Sequence, residues 1–240
     1  MGDTVATTLL AAERAIRNVD DFFAGVFAPL TEWRPVLEAQ LEAETASGPI
    51  TGQRLVELVS AGSHRILDTT ERPLYGAGYC ASSGIVSEGN PLAWWQGPER
   101  SLLASSTFGP GQAAIDLFRL EWYRVPETTG ERHVAGPFVD YLCSNEITIT
   151  STLPIFVRGE FAGVVCADVL VADLEERLLP QTEEWAGAVL VNVNGRVVVS
   201  SDPDLATGDR IADLDALASD GRRLARSTEF PFAIAFPAGE

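Results

Sequence analysis

Two aspartates, Asp140 in the run GPFVDY and Asp168 in the run GVVCADV, are each set among apolar residues. Upstream of both lies Arg119-Leu120-Glu121-Trp122-Tyr123-Arg124-Val125-Pro126. Aromatic rings beside an arginine form a box that can stack on a ligand and grip a carboxylate in bidentate fashion. Two aspartates on adjacent strands can hold an ammonium group by charge-assisted hydrogen bonds. Taken singly, each residue also has a structural reading: Trp122 as core, Asp140 as a turn partner, Asp168 as a cap for the helix that follows. Taken together and in order, they read as a candidate ligand site. Trp94 and Trp95 alternate faces on a strand, so one lines this site while the other packs behind the sheet. Trp95 is taken as the lining residue. Tyr141 points away from Asp140 for the same reason.

Other chemistries find less support. The chain holds 17 arginines and no lysine, which excludes a Schiff-base enzyme, a pyridoxal-phosphate anchor and a phosphate-loop NTPase. Two histidines, His64 and His133, cannot make a three-histidine metal site. Gly76-Ala77-Gly78-Tyr79-Cys80-Ala81 fits a dinucleotide-binding pattern on paper, but the Ser, Gly, Asn and Pro residues that follow cannot open the required helix. These glycines instead relieve crowding in a strand or bulge it. Cys143 and His133 have no recognised hydrolase spacing, and Asp140, Glu146 and Asp168 lack the compact loop of a calcium site. The three cysteines form no CxxC pair and read as small buried hydrophobes. No catalytic residue, metal or cofactor is expected.

The elements that must position the site follow from periodicity. Leu9, Ala12, Ile16, Val19, Phe23, Val26, Leu30, Trp33 and Leu37 recur in steps of three and four, which predicts a helix over 5–45. Pro29 and Pro35 predict a kink or break inside it. The stripe can pack on the chain's own sheet or serve as a dimer seam. A second helix is expected over 52–67. Strands are expected at 75–82, 91–97, 136–143, 147–157 and 161–170, with the loop 83–90 and a tight hairpin at Arg158-Gly159. A helix over 170–179 should stop at Pro180. This predicts an antiparallel sheet with helices on one side. The tail repeats the pattern in small: AVLVNV and RVVVS about Asn194-Gly195, a short helix near 211–218, and strands near 223–227 and 232–236.

Net charge is 17 minus 34, or -17, which disfavours nucleic acid and anionic membranes as partners. The leading residues have no basic leader, and no apolar stretch approaches the roughly 18 residues of a membrane span. The expectation is a soluble, cytoplasmic protein.

The order WYRVP, GPFVDY, LPIFVRGEFAGVVCADV and LEERLLP resembles the double Cache sensor domains, PAS-like ligand-binding modules of bacterial chemoreceptors and sensor kinases. The tail AVLVNVNGRVVVSSDPDLATGDRI is similar to the opening of the family's second half. The resemblance implies an α+β fold: a long N-terminal helix (1–70), a PAS-like antiparallel-sheet domain (71–183) and a smaller, abbreviated second PAS-like subdomain (184–240). It implies that Trp122 and Tyr123 help hold a ligand carboxylate while Asp140 and Asp168 hold its amine. Arg119 stands one residue farther from Trp122 than in the family, and Phe138 replaces a hydroxyl-bearing tyrosine. Both departures fall on the carboxylate half, so the expected ligand is an amine or amino acid. The site residues are therefore Arg119, Trp122, Tyr123, Phe138, Asp140, Asp168 and Trp95. The reading is a sensor in signal transduction and not an enzyme, possessing a homodimer contact through its first helix and a downstream signalling protein as partner. The competing readings are a ligand-independent dimeric interaction protein and a cofactor-free hydrolase or isomerase using the two aspartates.

Overall fold

The structure, a computed structural model, describes residues 2–69, 72–103, 116–140, 145–182, 187–211, 214 and 222–237. Helix α1 (Gly2–Glu44) and α2 (Gly52–Leu67) lead into two antiparallel sheets. In chain order the strands are β1 (Ile50–Thr51), β2 (Gly76–Ala81), β3 (Val86–Glu88), β4 (Leu92–Gln96), β5 (Ser101–Leu102), β6 (His133–Val139), β7 (Ile147–Val157), β8 (Glu160–Leu170), β9 (Val189–Asn192), β10 (Val197–Ser200), β11 (Arg222–Arg226) and β12 (Phe232–Pro237). Helix α3 (Glu121–Thr129) precedes β6, and α4 (Val171–Thr182) follows β8. The larger sheet has the order β5-β4-β2-β8-β7-β6, the smaller β10-β9-β12-β11, and β1 and β3 form a parallel pair beside them. The α+β class is as the resemblance implied, and the long first helix is as the periodicity predicted.

Helix α1 runs unbroken through Pro29 and Pro35, against the expectation of a kink or break. Each proline forfeits a backbone hydrogen bond. Burial outweighs that loss: Ala12, Ile16, Val19, Phe23, Val26, Leu30, Trp33, Leu37 and Leu41 are all buried against the chain's own sheets. Each large side chain so buried is worth about 1.5–3 kcal/mol. The apolar stripe is thus spent inside the chain, and the dimer seam drawn from it loses its residues. Midway along the helix, Phe23 stacks on Phe232 of β12 at 4.8 Å, and Arg132 lies over Phe230 at 4.6 Å. Farther along, Glu38 accepts a hydrogen bond from the Phe156 backbone of β7 at 3.1 Å. One helix therefore underlies both sheets.

Helix α2 begins where expected, because the Thr51 side chain accepts from the Arg54 N–H and caps the first turn. The predicted loop 83–90 contains β3, which pairs with β1. Pro180 lies inside α4 and does not end it. Helices also cover both faces of the larger sheet: α1 and α2 one face, α3 the other. The expected helix near 211–218 lies almost wholly outside the described residues, as do Tyr141 and Cys143.

Strands β7 and β8 turn over Arg158 and Gly159, both in left-handed conformation (φ 53° and 81°), as a two-residue hairpin of twisted strands requires. A bulge between Ile155 and Phe156 then shifts the register by one. Counted from the turn alone, Asp168 stands opposite Ile149. After the bulge it stands opposite Thr150.

Candidate ligand-binding site

The larger sheet's face opposite α1 is where the chemistry gathers. Alternation along β8 turns Val164, Cys166 and Asp168 to this face and Val165, Ala167 and Val169 to the helix side. Across the strands Asp168 is flanked by Gly76 of β2 and Thr150 of β7, and Gly76 is in turn opposite Gln96 of β4. Cys80, Leu92, Trp94 and Ala135 complete the apolar ground around this row, and Trp122 and Tyr123 of α3 cover it. Helix α3 is held over the sheet by ring contacts: Tyr123 meets Phe161 edge-on at 5.5 Å and Phe118 at 5.0 Å.

Asp168 is 4% exposed, and the Thr150 hydroxyl donates to its Oδ1 at 2.6 Å. Burial pushes its carboxyl up to about 8; the Thr150 hydrogen bond counters this, and the negative charge of Asp140 adds to it. Asp140 is 6% exposed at the end of β6, where its N–H donates to the Glu146 carbonyl and its carbonyl accepts from the Asn145 N–H, both at 2.9 Å. Two buried carboxyls therefore act on each other, and among the described residues no basic side chain pairs with Asp168. Burial also raises the Tyr123 phenol and the Cys80 and Cys166 thiols, which stay neutral and apolar in character. Among the described residues, no three His, Cys, Asp or Glu side chains are grouped to hold a metal ion.

Of the expected residues, Trp122, Tyr123, Phe138 and Asp168 meet on this face, with Asp140 beside them. Two do not. The Arg119 side chain is 86% exposed and pairs with Asp116 at 3.1 Å, because the 3-10 turn Leu117–Arg119 aims it at solvent. Trp95 faces the other way, packing on α2 with its ring 5.3 Å from His64. Its neighbour Trp94 holds the site face instead. Thr150 went unnoticed in the sequence because of the bulge, and Gly76 was read there as relieving crowding in its strand but not as part of the site. A Cβ on Gly76 would lie 2.8 Å from Trp94 Nε1.

Strand β6 also connects the site to the smaller sheet. Between Ala135 and Phe138 its pairing with β7 is interrupted, and the Gly136 carbonyl there accepts a 2.6 Å bond from Asn192 Nδ2 of β9. Asn192 Oδ1 accepts from the N–H groups of Asn194 and Arg196, so the same side chain shapes the β9–β10 turn. An open cleft of about 340 Å³ lies at this junction, with Glu121, Phe138, Asn192 and Arg196 in its wall.

Residues 93–176 match the family model of the methyl-accepting chemotaxis protein-like first PDC sensor domain. Solved structures repeat the fold over nearly the whole chain. The extracellular domain of the histidine kinase mmHK1S-Z3 aligns with a TM-score of 0.65 at 14% identity, covering 96% of this chain and 92% of that one. The ligand-binding domain of the Pseudomonas aeruginosa PAO1 amino acid chemoreceptor PctC, in complex with GABA, aligns with 0.60 at 16%, covering 97% and 98%. That of the Pseudomonas fluorescens chemoreceptor CtaA, in complex with L-valine, aligns with 0.59 at 15%, covering 98% and 96%. No curated protein matches the sequence. The chain thus has the fold of the PDC-type (Cache) sensor domains, as its motifs suggested. The cytoplasmic placement does not stand: the matched model is a chemoreceptor sensor domain, and like-folded domains are extracellular parts of histidine kinases. Among the described residues, no helix is long and apolar enough to cross a membrane.

Proposed function

We propose that this chain is a small-molecule sensing domain whose ligand carries a primary ammonium seated on Asp168 and Asp140, with Trp122, Tyr123 and Phe138 as wall. In this reading 71–183 form the ligand-binding domain and 184–240 a reduced second subdomain. The observation that carries it is Asp168, a carboxyl buried on an aromatic-covered sheet face and held up to about 8. Such a group is stabilised by a proton or by a cation that replaces it. The sensor-domain match supports binding without turnover, and the amine-bearing ligands of PctC and CtaA support the choice of ligand class.

The test is a melting and titration series with L-valine, γ-aminobutyrate, isobutylamine and isobutyrate. A bound ligand at 100 times its Kd adds about 2.7 kcal/mol of stability. At least one amine should raise the melting temperature of the wild type and leave Asp168→Asn unmoved, while isobutyrate shifts neither protein. A shift by isobutyrate alone would sink the proposal.

A further inference from the structure

Trp94 carries a feature that its neighbours in the apolar ground lack. Its side chain is 5% exposed, and its Nε1–H has no acceptor among the described residues. Burying a donor without a partner is unfavourable, so native proteins seldom do it without reason. The position of the indole shows what the reason is. Nε1 lies 2.8 Å from where a Cβ of Gly76 would stand, and Gly76 is the direct cross-strand partner of Asp168. Directly opposed residues on one sheet face have Cβ positions only about 4.5–5.5 Å apart. From its own place opposite Gly78, the indole thus extends its buried donor to the row of the sheet that carries the buried acceptor Asp168. Glycine at 76 is what lets the indole edge descend to that level.

We infer that Trp94 is a specificity-determining residue: its indole N–H donates to an oxygen of the ligand that lies close in the covalent structure to the ammonium on Asp168. This rests on the amine-site reading and narrows it. The site takes amines with a carboxylate, carbonyl or hydroxyl oxygen near the nitrogen, and discriminates against plain alkylamines. The cause is asymmetric, because an alkylamine desolvates the same row yet leaves the indole N–H unmet. Sites that hydrogen-bond a substrate group reject analogues lacking it far better than apolar pockets reject a missing methylene. The discrimination therefore comes from Trp94, whereas attraction to the amine comes from Asp168.

Isothermal titration with L-valine, L-valinol and isobutylamine separates the two. In the wild type both oxygen-bearing ligands should bind at least about tenfold tighter than isobutylamine. In Trp94→Phe that ratio should fall toward one, with isobutylamine within threefold of its wild-type affinity. Gly76→Ala, which keeps the indole but displaces it, should lower the ratio as well. In the unmodified, 15N-labelled protein, one indole N–H resonance should move downfield with L-valine and L-valinol but not with isobutylamine, whether or not the variants fold. An unchanged ratio in a folded Trp94→Phe, or no indole response, overturns the role of Trp94 while the amine site stands. Binding of isobutylamine undiminished in Asp168→Asn, or binding of none of the three by the wild type, overturns both.

Discussion

Asp168 titrates in a direction opposite to that of most carboxylates in folded proteins, with measurable results. Its carboxyl sits at about 8 in the fold against an ordinary 3.8, so the folded chain holds a proton that the unfolded chain has lost between those values. Stability from this group is therefore fully present below about pH 4, falls as pH rises and levels off above about pH 8. Thermal melts of Asp168→Asn should lack that decline. An ammonium ligand needs the ionised form, so its affinity should rise about tenfold per pH unit up to about pH 8, releasing close to one proton at pH 7. Titration in buffers of different ionisation enthalpy counts that proton. Thr150→Val removes the hydrogen bond that favours the ionised form, and should move the plateau of the affinity profile to higher pH. At this scale the sequence was informative about residue types and silent about register. The order of aromatics and aspartates singled out Trp122, Tyr123, Asp140 and Asp168, and the family resemblance added Phe138. The parity of the LAWWQ strand, which decides between Trp94 and Trp95, depends on the pairing with β2 and not on anything within that strand.

Among the elements, periodic ones were legible and interrupted ones were not. The stripe of α1 and the alternating β7 and β8 announce themselves, because burial on one face imposes a period. Pro29, Pro35 and Pro180 misled, since a proline's local cost is visible in sequence while the tertiary packing that outweighs it is not. The packing of α1 on α2 provides a test. The Trp33 ring of α1 fits where α2 has Gly62, and a Cβ there would lie 2.0 Å from the indole. Both residues are buried. Gly62→Ala should therefore cost about 1–3 kcal/mol by overpacking, despite alanine's better helix propensity. Denaturant melts at fixed pH would show the loss, and Gly62→Ala combined with Trp33→Leu should recover part of it. Recovery would locate the strain in this contact.

For the whole molecule, the charge of -17 sets the field in which any ligand approaches. Charges beyond about 10 Å are screened at 0.1 M salt, so the field acts on arrival more than on residence. Stopped-flow tryptophan fluorescence should show the association rate of isobutylamine falling severalfold between 10 and 500 mM salt, with little change in dissociation. The sequence showed this field directly, but not that the two sheets are joined through Asn192 and underlain by one helix. A side chain that bonds across units in this way leaves no periodic trace. Its partner is the carbonyl of Gly136, 56 positions away.

Helix α1 has a mechanical consequence. At 1.5 Å per residue its 43 residues make a rod of about 65 Å. For a straight rod of that length, a tilt of about 1° about one end carries the other end through about 1 Å. The Glu38 carboxylate grips β7, the strand that carries Thr150, while Phe23 rests on the smaller sheet. The rod is thus a lever with one arm under the larger sheet and the other beneath the smaller, so that rearrangements too small to alter the fold are magnified along its length.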